Sequence, residues 1–257
     1  MSRKINSVDF GSFTGNIKDR IASPQGMAIA SFPNLYRDQV FHLDDFLVDT
    51  LNLDFWVLST DGTATAFAIT PALGGTIRGN AGETDNGYLA INGPIIFSGD
   101  KNAGMEVRLK LDAITAVTFE IGFTDALSDE TLPAVTDVDT PATGNGATDV
   151  AVVHLDTDQT LQSAAFVGES TGSTYAAQKV NLAFTPTAAT YFTVRVQLAT
   201  DNAFCAIFDA NGAVVKEGSL SLALEGATLV RPHVIIGTRS VSDRVPDIDY
   251  IAVWQDR

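Results

Sequence analysis

The sequence predicts an all-β fold, a two-sheet antiparallel sandwich of the jelly-roll type preceded by an extended N-terminal arm. Three observations predict it. Apolar side chains recur at every second position in four separate segments, Gly-containing turn signals divide the chain, and no window carries the capped i, i+3, i+4, i+7 apolar stripe of an amphipathic helix.

In Met105-Glu106-Val107-Arg108-Leu109-Lys110-Leu111 every odd position is apolar and every even one charged. Successive side chains of a strand point to opposite faces, so this pattern buries one face and leaves the other in water. Val117-Thr118-Phe119-Glu120-Ile121-Gly122-Phe123, Tyr191 to Leu198 and Ser219 to Leu224 alternate in the same way. Val150-Ala151-Val152-Val153 and Val234-Ile235-Ile236 are apolar on both faces, as central strands covered on two sides should be.

Asp61-Gly62, Asn86-Gly87 and Asn211-Gly212 lie between strand-like runs and predict hairpin turns. Without helices there is nothing to build βαβ crossovers, which excludes a parallel sheet. Roughly a dozen to fifteen strands are expected, enough for two packed sheets. Ser128 to Gly146, rich in Asp, Thr, Pro and Gly, predicts a long exposed acidic loop. Residues 1–43 lack periodicity and form the arm; residues 44–257 form the sandwich.

At 257 residues the chain can bury about three quarters of its unfolded surface without a disulfide or metal scaffold. Its 45% hydrophobic and 18% charged content excludes a disordered chain. The one cysteine, Cys205, sits in Phe204-Cys205-Ala206-Ile207-Phe208 and reads as a buried small hydrophobe. Met1 to Asn6 lacks the apolar run of a signal peptide, and no stretch reaches the about 18 apolar residues of a membrane span, so synthesis in a cytoplasm and no membrane partner are expected.

Net charge is −15, unevenly distributed. Residues 1–40 carry five Lys/Arg and three Asp/Glu; the rest carry eleven and twenty-eight. A body that acidic repels phosphate backbones, which argues against nucleic acid as a partner. The arm offers cations at Arg3, Lys4, Lys18 and Arg20 and aromatic rings at Phe10, Phe13, Phe32 and Tyr36. These eight are the candidate partner-binding residues. Two readings of the arm stay open: a segment laid along its own domain, and an extension that orders on a neighbouring subunit.

The inventory of reactive groups is short. Gly168-Glu169-Ser170-Thr171-Gly172 matches the G-x-S-x-G nucleophile elbow, but Ser173-Thr174-Tyr175 has no helical periodicity to complete the strand-turn-helix, so a hairpin turn is expected. Glu83-Thr84-Asp85 falls in a turn, and Glu120 has apolar or small neighbours two positions away, so no strand supplies paired carboxylates for glycoside hydrolysis. Asp137-Val138-Asp139 and Asp156-Thr157-Asp158 do not continue as a calcium loop. His42, His154 and His233 are far apart in sequence, which predicts no zinc site. No cofactor motif occurs, and a non-enzymatic protein is expected.

The closing Ile248-Asp249-Tyr250-Ile251-Ala252-Val253-Trp254-Gln255 resembles the last strand of the concanavalin A-like lectin/glucanase superfamily. Asp44-Asp45-Phe46, Asp54-Phe55-Trp56, Gly74-Gly75-Thr76-Ile77-Arg78, Phe119 to Asp125 and Tyr191 to Arg195 resemble pieces of a branch found in structural proteins of tailed-phage virions. The resemblance implies a head-decoration role, with the major capsid protein or another virion protein as partner. It also implies a virion location and a homo-oligomer, often a trimer. The chain departs from the superfamily's enzymes in lacking the E-x-D-x-E strand, and from its legume-type lectins in lacking their calcium and manganese ligand set. The alternative is a carbohydrate-binding module using Trp56, Tyr88, Tyr191 or Trp254 to stack a glycan.

Overall fold

A computed structural model describes residues 39–47, 49–70, 75–126, 133–137, 142–143, 147–170, 175–221 and 223–257. These residues form seventeen strands, no α-helix and one 3-10 turn at Gly99–Lys101.

One sheet contains β1 (Gln39–Asp44), β3 (Thr65–Thr70), β4 (Thr76–Asn80), β6 (Gly104–Leu111), β13 (Phe192–Ala199), β14 (Asn202–Phe208), β15 (Val214–Leu220) and β17 (Pro246–Asp256). Its order is β15-β14-β13-β6-β17-β4-β3, with β1 also on β17. The other contains β2 (Val57–Thr60), β5 (Tyr88–Asn92), β7 (Val117–Thr124), β10 (Asp149–Asp156), β11 (Ala164–Ser170), β12 (Tyr175–Phe184) and β16 (Arg231–Thr238), in the order β12-β11-β10-β7-β16-β5-β2. The short β8 (Val135–Asp137) and β9 (Ala142–Thr143) pair with each other. Every pairing is antiparallel.

The core lies where the alternation places it. Met105, Val107, Leu109 and Leu111 of β6 and Val194, Val196 and Leu198 of β13 join Phe119, Ile121 and Phe123 of β7 between the sheets. The runs that are apolar on both faces are central strands: Val150 and Val152 pack outward against Ala134 and Val135, and Ile235 against Tyr88 and Ala90.

The structure corrects five expectations. The boundary placed at residue 43 falls inside β1, because Gln39 to Asp44 hydrogen-bonds along Asp256 to Ile251. Only Asn211-Gly212 closes a hairpin, between β14 and β15. Asp61-Gly62 joins β2 to β3, and Asn86-Gly87 lies between β4 and β5; both connections cross from one sheet to the other. Turn chemistry fixes a chain reversal but not the edge that the next strand finds. Ser219 to Leu224 is not one strand, since β15 ends at Leu220. In the predicted acidic loop, Ala134 and Val135 are buried, and their neighbours form β8 and β9. Finally, Glu106 is buried although the alternation places it in water.

Several of the short motifs act as structural brackets. The Trp56 indole N–H donates to Asp44 Oδ2 at 3.0 Å, and the Phe46 amide donates to Asp44 Oδ1 at 3.1 Å. Gly75 has φ +70, and a Cβ there would stand 2.4 Å from the Asp45 carbonyl oxygen. Only glycine fits that approach. Arg78 Nε donates to Asp247 Oδ1 at 2.6 Å, and Lys110 Nζ lies 3.1 Å from Asp247 Oδ2. Burial alone would raise the Asp247 pKa, but these cations outweigh it and hold the carboxyl below its usual range.

Candidate functional site

The side chains richest in chemistry meet on the outward face of the seven-stranded sheet. Register brings them there. His154 of β10 sits directly across from Glu120 of β7, and His233 of β16 sits across from Gly122, two residues further along. Gly122 presents no side chain, which leaves room for His233 to lean along the strand toward Glu120; an added Cβ would also meet the Ala151 carbonyl oxygen at 2.2 Å.

Glu120 is completely buried. His154 Nδ1 lies 3.2 Å from Glu120 Oε2, within hydrogen-bond reach. His233 Nε2 lies 3.1 Å from Oε1 but is not aligned as a hydrogen-bond donor, so this contact is electrostatic. The amides of Ala134 and Val135 each donate at 3.0 Å, one to each carboxylate oxygen. His233 Nδ1 is 2.6 Å from Asn92 Oδ1.

Burial alone would raise the Glu120 pKa. The hydrogen bond with His154 and the electrostatic contacts with both histidines reverse the shift and hold the carboxyl at about 2. Above these residues, Ala126, Ala134, Val135 and Ala147 pack on Val150, Val152, Ala165 and Val167 and close the face to solvent. The site is therefore a sealed carboxylate with both oxygens engaged.

Further along the same face, Arg239 Nε donates to Asp156 Oδ1 at 2.9 Å. The guanidinium also bonds the Tyr88 hydroxyl and Asn86. Burial raises the Tyr88 pKa more than Arg239 lowers it. Asp156 also accepts the Asp158 amide at 3.0 Å, so its oxygens are committed to protein partners. His154 and His233 approach different oxygens of Glu120 and do not converge on one point. Among the described residues no group of three His, Cys, Asp or Glu side chains could hold a metal ion.

Other sequence candidates take structural positions. Ser170 is buried at the end of β11, and the next described segment is the antiparallel β12, so strand follows strand. Trp56 is in the core, and Tyr88 is buried under Arg239. Tyr191 is partly exposed beside Arg108 and Lys110, whose cations lie 4.4 and 4.9 Å from its ring centre. His42 stacks on Phe55 at 3.8 Å and belongs to the eight-stranded sheet, whereas His154 and His233 belong to the seven-stranded one. Arg3, Lys4, Phe10, Phe13, Lys18, Arg20, Phe32 and Tyr36 all lie outside the described residues.

Sequence reasoning missed the Glu120, His154 and His233 grouping because the three share no local spacing. One signal was present: each is an ionisable residue flanked on both sides by apolar residues within a strand.

No family model matches this chain, and no curated protein does. Solved structures do match. A protein of unknown function from Shewanella oneidensis MR-1 aligns over 85% of this chain and 87% of its own, at 12% identity and a TM-score of 0.60. This chain is a two-sheet jelly roll. Peanut lectin, solved with a 9mer peptide, aligns over 84% of this chain and 97% of its own, at 14% identity and a TM-score of 0.53. LamAcat from Zobellia galactanivorans aligns over 86% and 99%, at 12% identity and a TM-score of 0.54. At these identities the jelly roll shares an architecture, and fold alone does not carry function across.

Proposed function

We propose that this jelly roll is a non-enzymatic assembly protein, a decoration component of a tailed-phage virion that forms homo-oligomers and binds a capsid protein through its surface. One observation carries the non-enzymatic part. Retaining glycoside hydrolysis needs two carboxyl groups about 5 to 5.5 Å apart, facing an open groove. Here the outward face of the seven-stranded sheet is covered around Glu120, and that carboxylate spends both oxygens on backbone amides and His154. The resemblance of several short motifs to virion proteins supports the setting.

The assembly part draws on surface chemistry. Leu43, Leu47, Leu53 and Val57 are exposed on two segments that the His42–Phe55 stack holds together. Apolar side chains displayed together mark protein interaction surfaces. Arg3, Lys4, Lys18 and Arg20 then meet an acidic patch on the partner, while the negative body stays soluble. The second reading, glycan binding, draws on the likeness to a lectin and on the partly exposed Tyr191 beside two cations.

Electron microscopy of native particles from the source, with a glycan array on the purified protein, tests the proposal. A sandwich-shaped density at capsid subunit junctions and a silent array are expected. Particles without that density, together with competable binding to one sugar class, would replace assembly by glycan recognition.

A further inference from the structure

The four strands that end the two sheet orders differ by side. On one side β12 and β15 lie against each other, and Gln178 Nε2 of β12 donates to the Ser221 carbonyl oxygen just beyond β15 at 2.8 Å. Both carry charge: exposed Lys179 on β12, Lys216 and exposed Glu217 on β15. Charged side chains on an edge strand keep a strange strand from adding to it. On the other side lie β2 and β3, joined through Asp61-Gly62. Neither Val57–Thr60 nor Thr65–Thr70 holds a charged residue or a proline.

β3 is the longer of these two. Among the described residues it pairs only with β4, which leaves the main-chain groups along its other edge without a partner. Such groups are completed by another extended strand. β3 is suited to that role, since Thr65, Phe67, Ile69 and Thr70 are β-branched or aromatic. Phe67 lies in the core and Ile69 packs against it, so the strand is anchored and its edge is preformed. Its last three residues, Ala68 to Thr70, pair with β4 in unbroken register.

Charge selects the occupant. A basic partner is best met by carboxylates, whereas two copies that each carry −15 repel and can meet only along a neutral strand. Any register of β3 against itself sets only Thr, Ala, Phe and Ile opposite one another, with no like-charge pair. We propose that β3 pairs antiparallel with β3 of a second copy around a two-fold axis, joining their eight-stranded sheets into one. Pairing of this kind uses up the same edge on both copies, so it closes at two and does not grow into a fibre. The contact rests on the assembly reading above and gives its homo-oligomer an interface.

Sedimentation velocity of the full chain across a concentration series tests it. The wild type should sediment as a dimer, and added salt should tighten the dimer by screening the repulsion between its halves. Ala68→Lys, at an exposed position of β3, sets like charges together across the axis and should weaken the dimer at least roughly tenfold, with the β circular dichroism unchanged. If that variant does not fold, Thr65→Lys, at the other exposed position of β3, takes its place. An equimolar mixture of Ala68→Lys and Ala68→Glu should pair again. A wild type that stays monomeric by itself, even where it pairs with another protein, overturns the proposal. So does a dimer that salt weakens, a mixture that stays monomeric, or an oligomer that the Lys variants leave intact; in that last case the assembly reading survives on a different contact. A dimer split by the Lys variants supports the β3 contact even where native particles lack the density, so the two readings fail separately.

Discussion

His154 Nδ1 lies 3.2 Å from Glu120 Oε2, directly across the β10–β7 ladder, with the Ala134 and Val135 amides on the far side of the same carboxylate. One buried side chain thus ties two central strands to the segment that covers them. Truncation by Glu120→Ala leaves two amides and the His154 imidazole without their acceptor and removes the carboxylate beside His233. Breaking a buried charged network on one side costs about 3–5 kcal/mol, and this variant should lose that much in a urea titration. An unchanged midpoint would mean that the apolar contacts of Val135 alone hold the covering segment.

The same carboxylate makes stability depend on pH. Its folded pKa of about 2 lies below the ordinary value of 4.5, so the unfolded chain takes up the proton first as pH falls. The stabilisation, about 3 kcal/mol from the shift, is fully present above roughly pH 4.5 and is lost as pH falls toward 2. Glu120→Gln removes this linkage. Asp247, whose pKa is also held down, acts in both proteins and cancels. The stability gap between wild type and Glu120→Gln, measured by urea unfolding at a series of pH values, should therefore shrink across that window; a gap constant with pH would contradict the assignment.

Gly75 gives a test of backbone geometry. Alanine there must hold φ near +70 and place its Cβ 2.4 Å from the Asp45 carbonyl oxygen and 2.7 Å from the Phe46 carbonyl carbon. Neither group is the flexible end of a side chain, so the backbone must shift. Gly75→Ala should cost about 2–4 kcal/mol and should weaken the Asp44–Trp56 bracket beside it, visible as a change in tryptophan fluorescence.

The architecture was legible because strand periodicity is local. Met105 to Leu111 displays its buried face in seven consecutive residues, and the structure buries those odd positions between the sheets. Sheet membership was not legible: Asp61-Gly62 and Asn211-Gly212 are similar turns, yet one crosses between sheets and the other closes a hairpin. The Glu120 site was hidden for the same reason, since His154 and His233 reach it only through the pairing of β10 and β16 with β7. Burial of Glu106 was misread because alternation reports which face a residue takes, not what covers that face.

Cys205 provides a reporter for the whole sandwich. It lies on the core side of β14, buried beside Gly218, where an added Cβ would stand 3.1 Å from its sulfur. Burial pushes its pKa well above the ordinary thiol value, so the thiolate needed for attack on a disulfide reagent is scarce in the folded protein. As the one thiol in the chain, it should stay unreactive toward a chromogenic disulfide under native conditions and react stoichiometrically in denaturant. With excess reagent, the native modification rate should follow the unfolding equilibrium and rise roughly tenfold for each 1.4 kcal/mol of destabilisation, so Glu120→Ala should accelerate it by about two to four such steps. Rapid labelling of the folded wild type would mean that the β14–β15 edge opens independently of the core.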